Sequence, residues 1–127
     1  MKNLITLLLV CFSFCGFSQT IKKNVDAATF KKLIEEKKYV LIDLRTSDEI
    51  NSKGMIEGAI QIDFLDKKAE DNIKKLDKNK SYLIYCAGGG RSEDCADLME
   101  KQGFKEVINL EKGFSDWKNK GFDIEVK

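Results

Sequence analysis

Two short apolar runs, Tyr39–Ile42 and Ser81–Tyr85, constrain the fold of this chain most strongly. Short, largely apolar runs without polar alternation are typical of strands buried on both faces. Weaker strand patterns cover Ala59–Ile62 and Glu106–Leu110, and helical patterns lie between the strands. Strands that alternate with helices build βαβ units. We therefore predict a single α/β domain with a central, mainly parallel β-sheet flanked by helices on both faces.

Capping residues mark where two of the predicted helices begin. Asp26 is placed to cap a helix that continues to Lys37, and Thr46 followed by Glu49 matches a capping box. The other predicted helical segments are an amphipathic stretch with Phe64, Leu65, Ile73 and Leu76, a helix from around Ser92 to Gln102, and a helix over Phe114–Asn119.

Residues 1–18 have the composition of an export signal. Lys2 supplies a positive charge, Leu4–Phe17 is apolar, and Gly16 and Ser18 are small residues at the two positions of a cleavage site. The apolar run is too short to anchor the mature protein across a bilayer. A buried first strand or helix is the alternative. We expect a signal peptide over residues 1–18 and one folded domain over residues 19–127.

The same segment argues against lipid attachment. A lipoprotein signal needs a small residue directly before the lipidated cysteine, whereas Val10 precedes Cys11 and Phe14 precedes Cys15. We therefore expect a soluble protein, exported to the periplasm or out of the cell, with no membrane span in its mature form.

Charged residues are numerous but evenly mixed, with 22 Lys and Arg against 21 Asp and Glu. Removal of residues 1–18 takes away Lys2 and no acid, so the mature chain is close to neutral. Neither sign forms a block along the sequence. This pattern argues against a basic stripe for nucleic acid and against a polybasic membrane patch, and we expect no nucleic-acid partner.

The chain contains no histidine and four cysteines, of which only Cys86 and Cys95 lie beyond the predicted signal. The lack of histidine excludes Ser-His-Asp and Cys-His nucleophile pairs. Two cysteines cannot form an all-thiolate zinc site within one chain. We therefore expect no metal and no organic cofactor, and any cysteine chemistry must activate the thiolate without imidazole.

The stretch from Cys86 to Ser92 carries the clearest chemical signal. A cysteine leaves a buried strand, glycines follow, and a helix begins at Arg91 or Ser92. Glycines accept positive φ, so successive backbone N–H groups can turn toward one point beside the helix N-terminus. Such a setting favours thiolate over thiol and would also hold a second, negatively charged sulfur. A glycine turn with an incidental buried cysteine is the alternative.

The stretch Cys86–Ser92 resembles the active-site loop of the rhodanese family, C-x-x-G-x-R-S. Three other segments are similar to the family's pattern in the same order, namely Leu41–Arg45 with Asp48 and Glu49, then Gly54–Ile60, and Gly103–Trp117. The resemblance covers residues 25–126. It implies a sulfurtransferase that takes sulfane sulfur from a small-molecule donor, thiosulfate or a persulfide. The sulfur is held as a persulfide and passed to cyanide or a thiol acceptor.

The resemblance also implies roles for individual residues. Cys86 would be the catalytic residue, and Asp43 and Arg45 would support the active-site edge. The substrate- and anion-binding loop would consist of Ala87, Gly88, Gly89, Gly90, Arg91 and Ser92.

The chain departs from the family's pattern at four positions. Met55 stands in place of a usual histidine, Lys112 in place of a glycine and Asp123 in place of a common proline. Ala87 stands where many thiosulfate-using members carry a cation, which puts thiosulfate in doubt as the physiological donor.

Two residues each keep two possible roles. Arg91 could bond the carbonyl groups of the loop or the sulfonate of a donor. Cys95 has helical spacing with Leu98 and Met99, so it could pack inward as a small apolar residue or act as a resolving thiol that bridges to Cys86.

Three other functions are weighed against sulfur transfer. The related cell-cycle phosphatases have one more residue than the six from Cys86 to Arg91, which argues against phosphatase activity. A non-catalytic binding module of the same fold is possible, although inactive relatives typically lose the cysteine. An exported thiol redox protein would use Cys86 and Cys95, but the usual C-x-x-C spacing is missing.

Overall fold

The computed structural model describes residues 19–126, in which five parallel strands form one sheet in the order β1-β5-β4-β2-β3. The strands are β1 (Ile21–Val25), β2 (Tyr39–Asp43), β3 (Ile60–Gln61), β4 (Ser81–Tyr85) and β5 (Glu106–Leu110). The helices are α1 (Ala27–Glu35), α2 (Ser47–Lys53), α3 (Ala69–Lys74), α4 (Gly90–Lys101) and α5 (Gly113–Asn119). The predicted α/β domain with a parallel sheet is confirmed.

The sheet separates two apolar clusters, as a sheet covered on both faces requires. The α3 and α4 face holds alternate strand residues such as Ile42 and Ile84, together with Met99 of α4. The α1 and α5 face holds the intervening residues such as Leu83, together with Trp117 of α5. The central strands are therefore buried on both sides, which explains why their sequences are almost continuously apolar.

Both predicted helix caps are present. The side chain of Asp26 accepts a hydrogen bond from the Thr29 N–H at 2.8 Å and begins α1. Thr46 and Glu49 form the reciprocal capping box of α2. Helix α1 ends at Glu35, two residues before the predicted end, and Lys37 then turns the chain with a φ of 55°.

The structure corrects three details of the predicted elements. Strand β1 was not predicted, because it lies at the edge of the sheet and four of its five residues are exposed, which leaves no buried pattern. Helix α4 begins at Gly90 rather than around Ser92. Leu65 is 65% exposed, so it does not belong to the buried side of the amphipathic stretch, and α3 covers only Ala69–Lys74.

The predicted signal peptide, residues 1–18, lies outside the described residues. Between residues 19 and 126, no helix is long and apolar enough to cross a membrane.

Candidate active site

Cys86 directly follows β4, at the edge of the sheet where the parallel strands end. It lies on the face covered by α4, in the same apolar cluster as Ile84, and is only 1% exposed. Ligands of open α/β sheets bind at this edge. The sequence predicted Cys86 at the carboxyl end of a buried strand, and the structure places it there.

Three hydrogen-bond donors converge on the sulfur of Cys86. The N–H of Gly89 lies 3.1 Å from Sγ, the N–H of Ser92 lies 3.4 Å away, and the hydroxyl Oγ of Ser92 lies 3.3 Å away. The single hydroxyl hydrogen of Ser92 can donate either to Sγ or to the Gly89 carbonyl, 3.1 Å away. Donors in these positions stabilise negative charge on the sulfur. The predicted cradle exists, but its bonds to the sulfur come from these two residues rather than from the whole run of amides.

Gly89 shapes this cradle through its backbone conformation. It has a φ of 103°, a region that residues with a Cβ rarely adopt, whereas the neighbouring Gly88 and Gly90 do not have positive φ. Its Cα also faces the carbonyl oxygen of Glu111 so closely that an added Cβ would lie 1.9 Å from that oxygen. Of the glycines at positions 88–90, Gly89 is the one that the loop requires.

A second segment holds the loop from the other side. The N–H of Phe114 donates to the carbonyl of Cys86 at 2.8 Å, and the N–H of Ser115 donates to the carbonyl of Ala87 at 3.1 Å. Gly113 has a φ of 68°, and a Cβ there would lie 2.5 Å from the Ala87 carbonyl oxygen. The first turn of α5 therefore fixes the orientation of the two peptide groups that leave β4.

Arg91 bonds a side chain of α2 rather than the carbonyl groups of the loop. Its Nη1 and Nη2 donate to Oε2 and Oε1 of Glu49 at 2.9 and 2.7 Å, a bidentate ion pair. Glu49 also accepts from the Thr46 N–H at 2.9 Å as part of the α2 cap. The Arg91 guanidinium lowers the pKa of Glu49 to about 2, with the Thr46 N–H assisting. The first turn of α4 is thus tied to α2.

Asp43 and Arg45 form a fully buried network beneath the loop, on the α5 face. Arg45 donates through Nε and Nη2 to the two carboxylate oxygens of Asp43, at 3.1 and 2.8 Å, and both side chains are 0% exposed. Nη2 also donates to the Gly54 carbonyl at 2.7 Å. The guanidinium lies 4.0 Å from the centre of the Phe114 ring. Since Phe114 bonds the Cys86 carbonyl, this network supports the loop without touching its sulfur.

Tyr85 connects this network to the turn that follows α2. Its hydroxyl donates to Asp43 Oδ2 at 2.6 Å and accepts from the Ile56 N–H at 3.0 Å. Burial, and then the negative charge of Asp43, raise the pKa of Tyr85 far above its ordinary value. Tyr85 therefore remains a neutral hydrogen-bond donor.

Cys95 lies in the core on α4, one helical turn beyond Ser92, and is 1% exposed. Neither Cys86 nor Cys95 forms a disulfide within residues 19–126. Burial raises the pKa of the Cys95 thiol to about 12, and the nearby Cys86 adds to the effect. Cys95 packs inward in the structure, as the first of its two predicted roles requires.

Sequence reasoning missed Glu49, Tyr85 and Gly113 as parts of the site. Glu49 was recognised as a helix cap and as part of a segment similar to the family's pattern, but not as the partner of Arg91, because 42 residues separate the two. Tyr85 was assigned to a buried strand. An apolar run gives no sign that the hydroxyl of a tyrosine within it makes two hydrogen bonds. Gly113 could have been suspected, since a glycine there matches the family's closing segment.

The assembled site can perform nucleophilic chemistry at sulfur. A thiolate with three donors is stabilised without a basic side chain, and those donors would also stabilise charge on a sulfur attached to it. Between residues 19 and 126, no three His, Cys, Asp or Glu side chains come together as metal ligands would.

Comparison with known protein families gives one match over most of the chain. A sequence model described as a rhodanese-like domain matches residues 26–120. The matched range contains every site residue described above.

Curated proteins of similar sequence carry sulfurtransferase names. The putative sulfurtransferase YtwF of Bacillus subtilis is 34% identical over 96 residues, which cover 75% of this chain and 89% of the relative. The thiosulfate sulfurtransferase GlpE of Coxiella burnetii is 33% identical over 87 residues, covering 68% of this chain and 78% of the relative.

Solved structures share the fold over most of their length. A rhodanese-related protein from Thermoplasma volcanium superposes with a TM-score of 0.72 at 26% identity, over 83% of this chain and 99% of that one. A rhodanese-like domain protein from Staphylococcus aureus gives a TM-score of 0.66 at 32% identity, over 86% of this chain and 98% of that one.

Proposed function

This chain belongs to the rhodanese-like domain family, and from that premise we propose that it is a sulfurtransferase that carries sulfur as a persulfide on Cys86. The observation that supports this most directly is the convergence of the Gly89 N–H, the Ser92 N–H and the Ser92 hydroxyl on Cys86 Sγ. Such a cradle serves a sulfur that alternates between a bare thiolate and a persulfide, because both carry negative charge.

In the first step, the Cys86 thiolate attacks the outer, sulfane sulfur of the donor. The donor's own bond to that sulfur breaks, and the electron pair leaves with the remainder: sulfite from thiosulfate, or a thiolate from a persulfide. Cys86 then holds a second sulfur. In the second step, cyanide or an acceptor thiolate attacks this outer sulfur, the S–S bond breaks, and the Cys86 thiolate is released.

The donors of the cradle act in both steps. They stabilise the thiolate before attack and again when it leaves, so their contribution is largest when charge returns to Sγ. The peptide bonds around Cys86 do not need to reorganise during the cycle, since the N–H groups of Phe114 and Ser115 fix the carbonyls of Cys86 and Ala87.

Mass spectrometry of the purified protein tests the proposal. After treatment with sodium thiosulfate or with the persulfide of cysteine, we expect a gain of one sulfur atom on the peptide that contains Cys86. Cyanide should remove it and release thiocyanate. Cys86→Ser is the matched control and should gain nothing. No sulfur on Cys86 with either donor would favour the non-catalytic binding module, and loss of two hydrogens would favour the thiol redox protein.

We further propose that the mature protein is exported and begins near Gln19. The support is the order of Lys2, the apolar run and the small residues around Ser18. N-terminal sequencing of the protein isolated from its own cells, after separation of the envelope fraction, should find a start close to Gln19. Full-length chain in the cytoplasmic fraction would contradict export.

A further inference from the structure

Arg91 is the only charged residue between Cys86 and Ser92, and its charge is already matched. Both terminal nitrogens of its guanidinium are bonded to the two carboxylate oxygens of Glu49, at 2.9 and 2.7 Å. Glu49 is itself fixed by the Thr46 N–H and hydroxyl, at 2.9 and 3.2 Å. The ion pair is therefore held at both ends, by the loop and by the α2 cap.

Glu49 carries its negative charge at neutral pH. Its pKa is lowered to about 2, first by its bond to Arg91. The bidentate geometry also fixes the plane of the guanidinium. Arg91 is thus not an uncompensated charge in this structure, and its Nη1 and Nη2 face Glu49.

No other side chain of the loop replaces the missing cation. Ala87 is half-buried, and the remaining loop positions up to Arg91 are glycines. Lys112 lies in the segment that contacts the loop, but it is exposed and lines a cavity together with Glu111 and Asp116. Within residues 86–92, the positive charge is therefore limited to Arg91, which is paired with Glu49.

Donor chemistries differ in how much positive charge they need here. Thiosulfate is a dianion, so its approach brings two further negative charges to the Cys86 thiolate, and sulfite leaves as a dianion. A persulfide brings at most one negative charge at its reacting end, as R–S–S⁻, and none in its protonated form, R–S–SH. The thiolate takes its outer sulfur with the attached proton, and R–S⁻ leaves. Coulomb repulsion therefore opposes the first reaction much more than the second.

We propose that Glu49 determines donor specificity: by matching the charge of Arg91, it directs Cys86 toward persulfide donors and away from dianionic thiosulfate. This inference rests on the proposed function, because it concerns the first step of the same sulfur transfer.

The variant Glu49→Gln removes the charge and preserves the local structure. Glutamine also satisfies the capping box, so α2 keeps its N-cap, while Arg91 becomes an uncompensated cation. Asp48→Asn is the matched control, since it removes the same charge from the adjacent, exposed position in the first turn of α2. The single-turnover rate of sulfur uptake on Cys86 is measured with sodium thiosulfate and with the persulfide of cysteine.

We expect wild-type protein to react faster with the persulfide at equal concentration. In Glu49→Gln, the thiosulfate rate should rise relative to the persulfide rate by about fivefold, as a released charge close to the reacting sulfur predicts. That gain should shrink as salt is added. Asp48→Asn should leave the ratio of the two rates close to that of the wild type.

Two results would overturn this inference alone: a wild-type preference for thiosulfate, or an unchanged rate ratio in Glu49→Gln, including an equal fall of both rates. In the latter case Glu49 would only brace the loop. If wild-type Cys86 took up sulfur from neither donor, that result would contradict both the proposed sulfurtransferase function and the proposed role of Glu49.

Discussion

The Cα of Gly89 faces the carbonyl oxygen of Glu111 so closely that a Cβ on Gly89 would lie 1.9 Å from it. Gly89 also donates its N–H to Cys86 Sγ at 3.1 Å. The conformation that aims this N–H at the sulfur, with a φ of 103°, is therefore the same one that leaves no room for a side chain. Close packing of the loop against Glu111 and donation to the sulfur depend on one glycine.

Gly89→Ala should reduce sulfur uptake by Cys86 by about a hundredfold. The added Cβ forces the loop away from Glu111, and the N–H of residue 89 then no longer points at Sγ. The positive φ adds a strain of about 1–3 kcal/mol, which should appear as lower thermal stability. Gly88→Ala is the matched control, since a Cβ there meets nothing within 4 Å. Equal uptake rates in the two variants would show that the Gly89 N–H has no role.

Ser92→Ala should slow the alkylation of Cys86 by iodoacetamide at neutral pH by about tenfold. The variant deletes the hydroxyl that lies 3.3 Å from Sγ and so removes one group that can stabilise negative charge on the reacting sulfur. Rates are read from the mass of the Cys86 peptide over time. Ser115→Ala removes an exposed hydroxyl nearby and should leave the rate unchanged. An unaltered rate in Ser92→Ala would assign the hydroxyl to its other acceptor, the Gly89 carbonyl.

The predictable part of the fold follows from burial. The central strands β2 and β4 carry largely apolar sequence because both of their faces are covered, and both were predicted. The more weakly patterned β5, which includes Asn109, was also predicted. Strand β1 was not predicted because its side chains are mostly exposed, and its place in the sheet is set by its pairing with β5. Edge strands leave little trace in hydrophobic pattern, since their register depends on backbone bonds to a neighbour.

The predictable part of the site is the part that is local in sequence. Cys86, Gly89 and Ser92 lie in one loop, and strand, glycine and helix signals placed them together. The partners of Arg91 and Asp43 depend on contacts across the sheet: Glu49 lies 42 residues from Arg91, and Tyr85 lies 42 residues from Asp43. No sequence periodicity encodes such pairs, so the sequence alone could not predict that Arg91 bonds Glu49.

Arg45→Met should destabilise the protein by about 3–5 kcal/mol, because it leaves the Asp43 carboxylate buried without its cation. Asp43 and Arg45 are both 0% exposed, so water cannot take the place of the guanidinium. Urea unfolding followed by circular dichroism measures the change. In Lys74→Met, which breaks an exposed pair with Glu70, the loss should stay below about 0.5 kcal/mol. Similar losses in both variants would contradict the supporting role of the buried pair.

Cys95 should remain unmodified when the folded protein is alkylated briefly at mildly alkaline pH, while Cys86 reacts. Only thiolate is alkylated, and burial raises the pKa of Cys95 to about 12, so its thiolate becomes abundant only as the pH approaches that value. Peptide mass spectrometry gives the extent of labelling at each cysteine, and protein unfolded in guanidinium is the control in which both should label equally.

Cys95→Ala should accordingly retain sulfur uptake on Cys86. Loss of uptake in that variant, or a Cys86–Cys95 bridge after exposure to a persulfide donor, would instead make Cys95 a resolving thiol and favour redox chemistry over sulfur transfer.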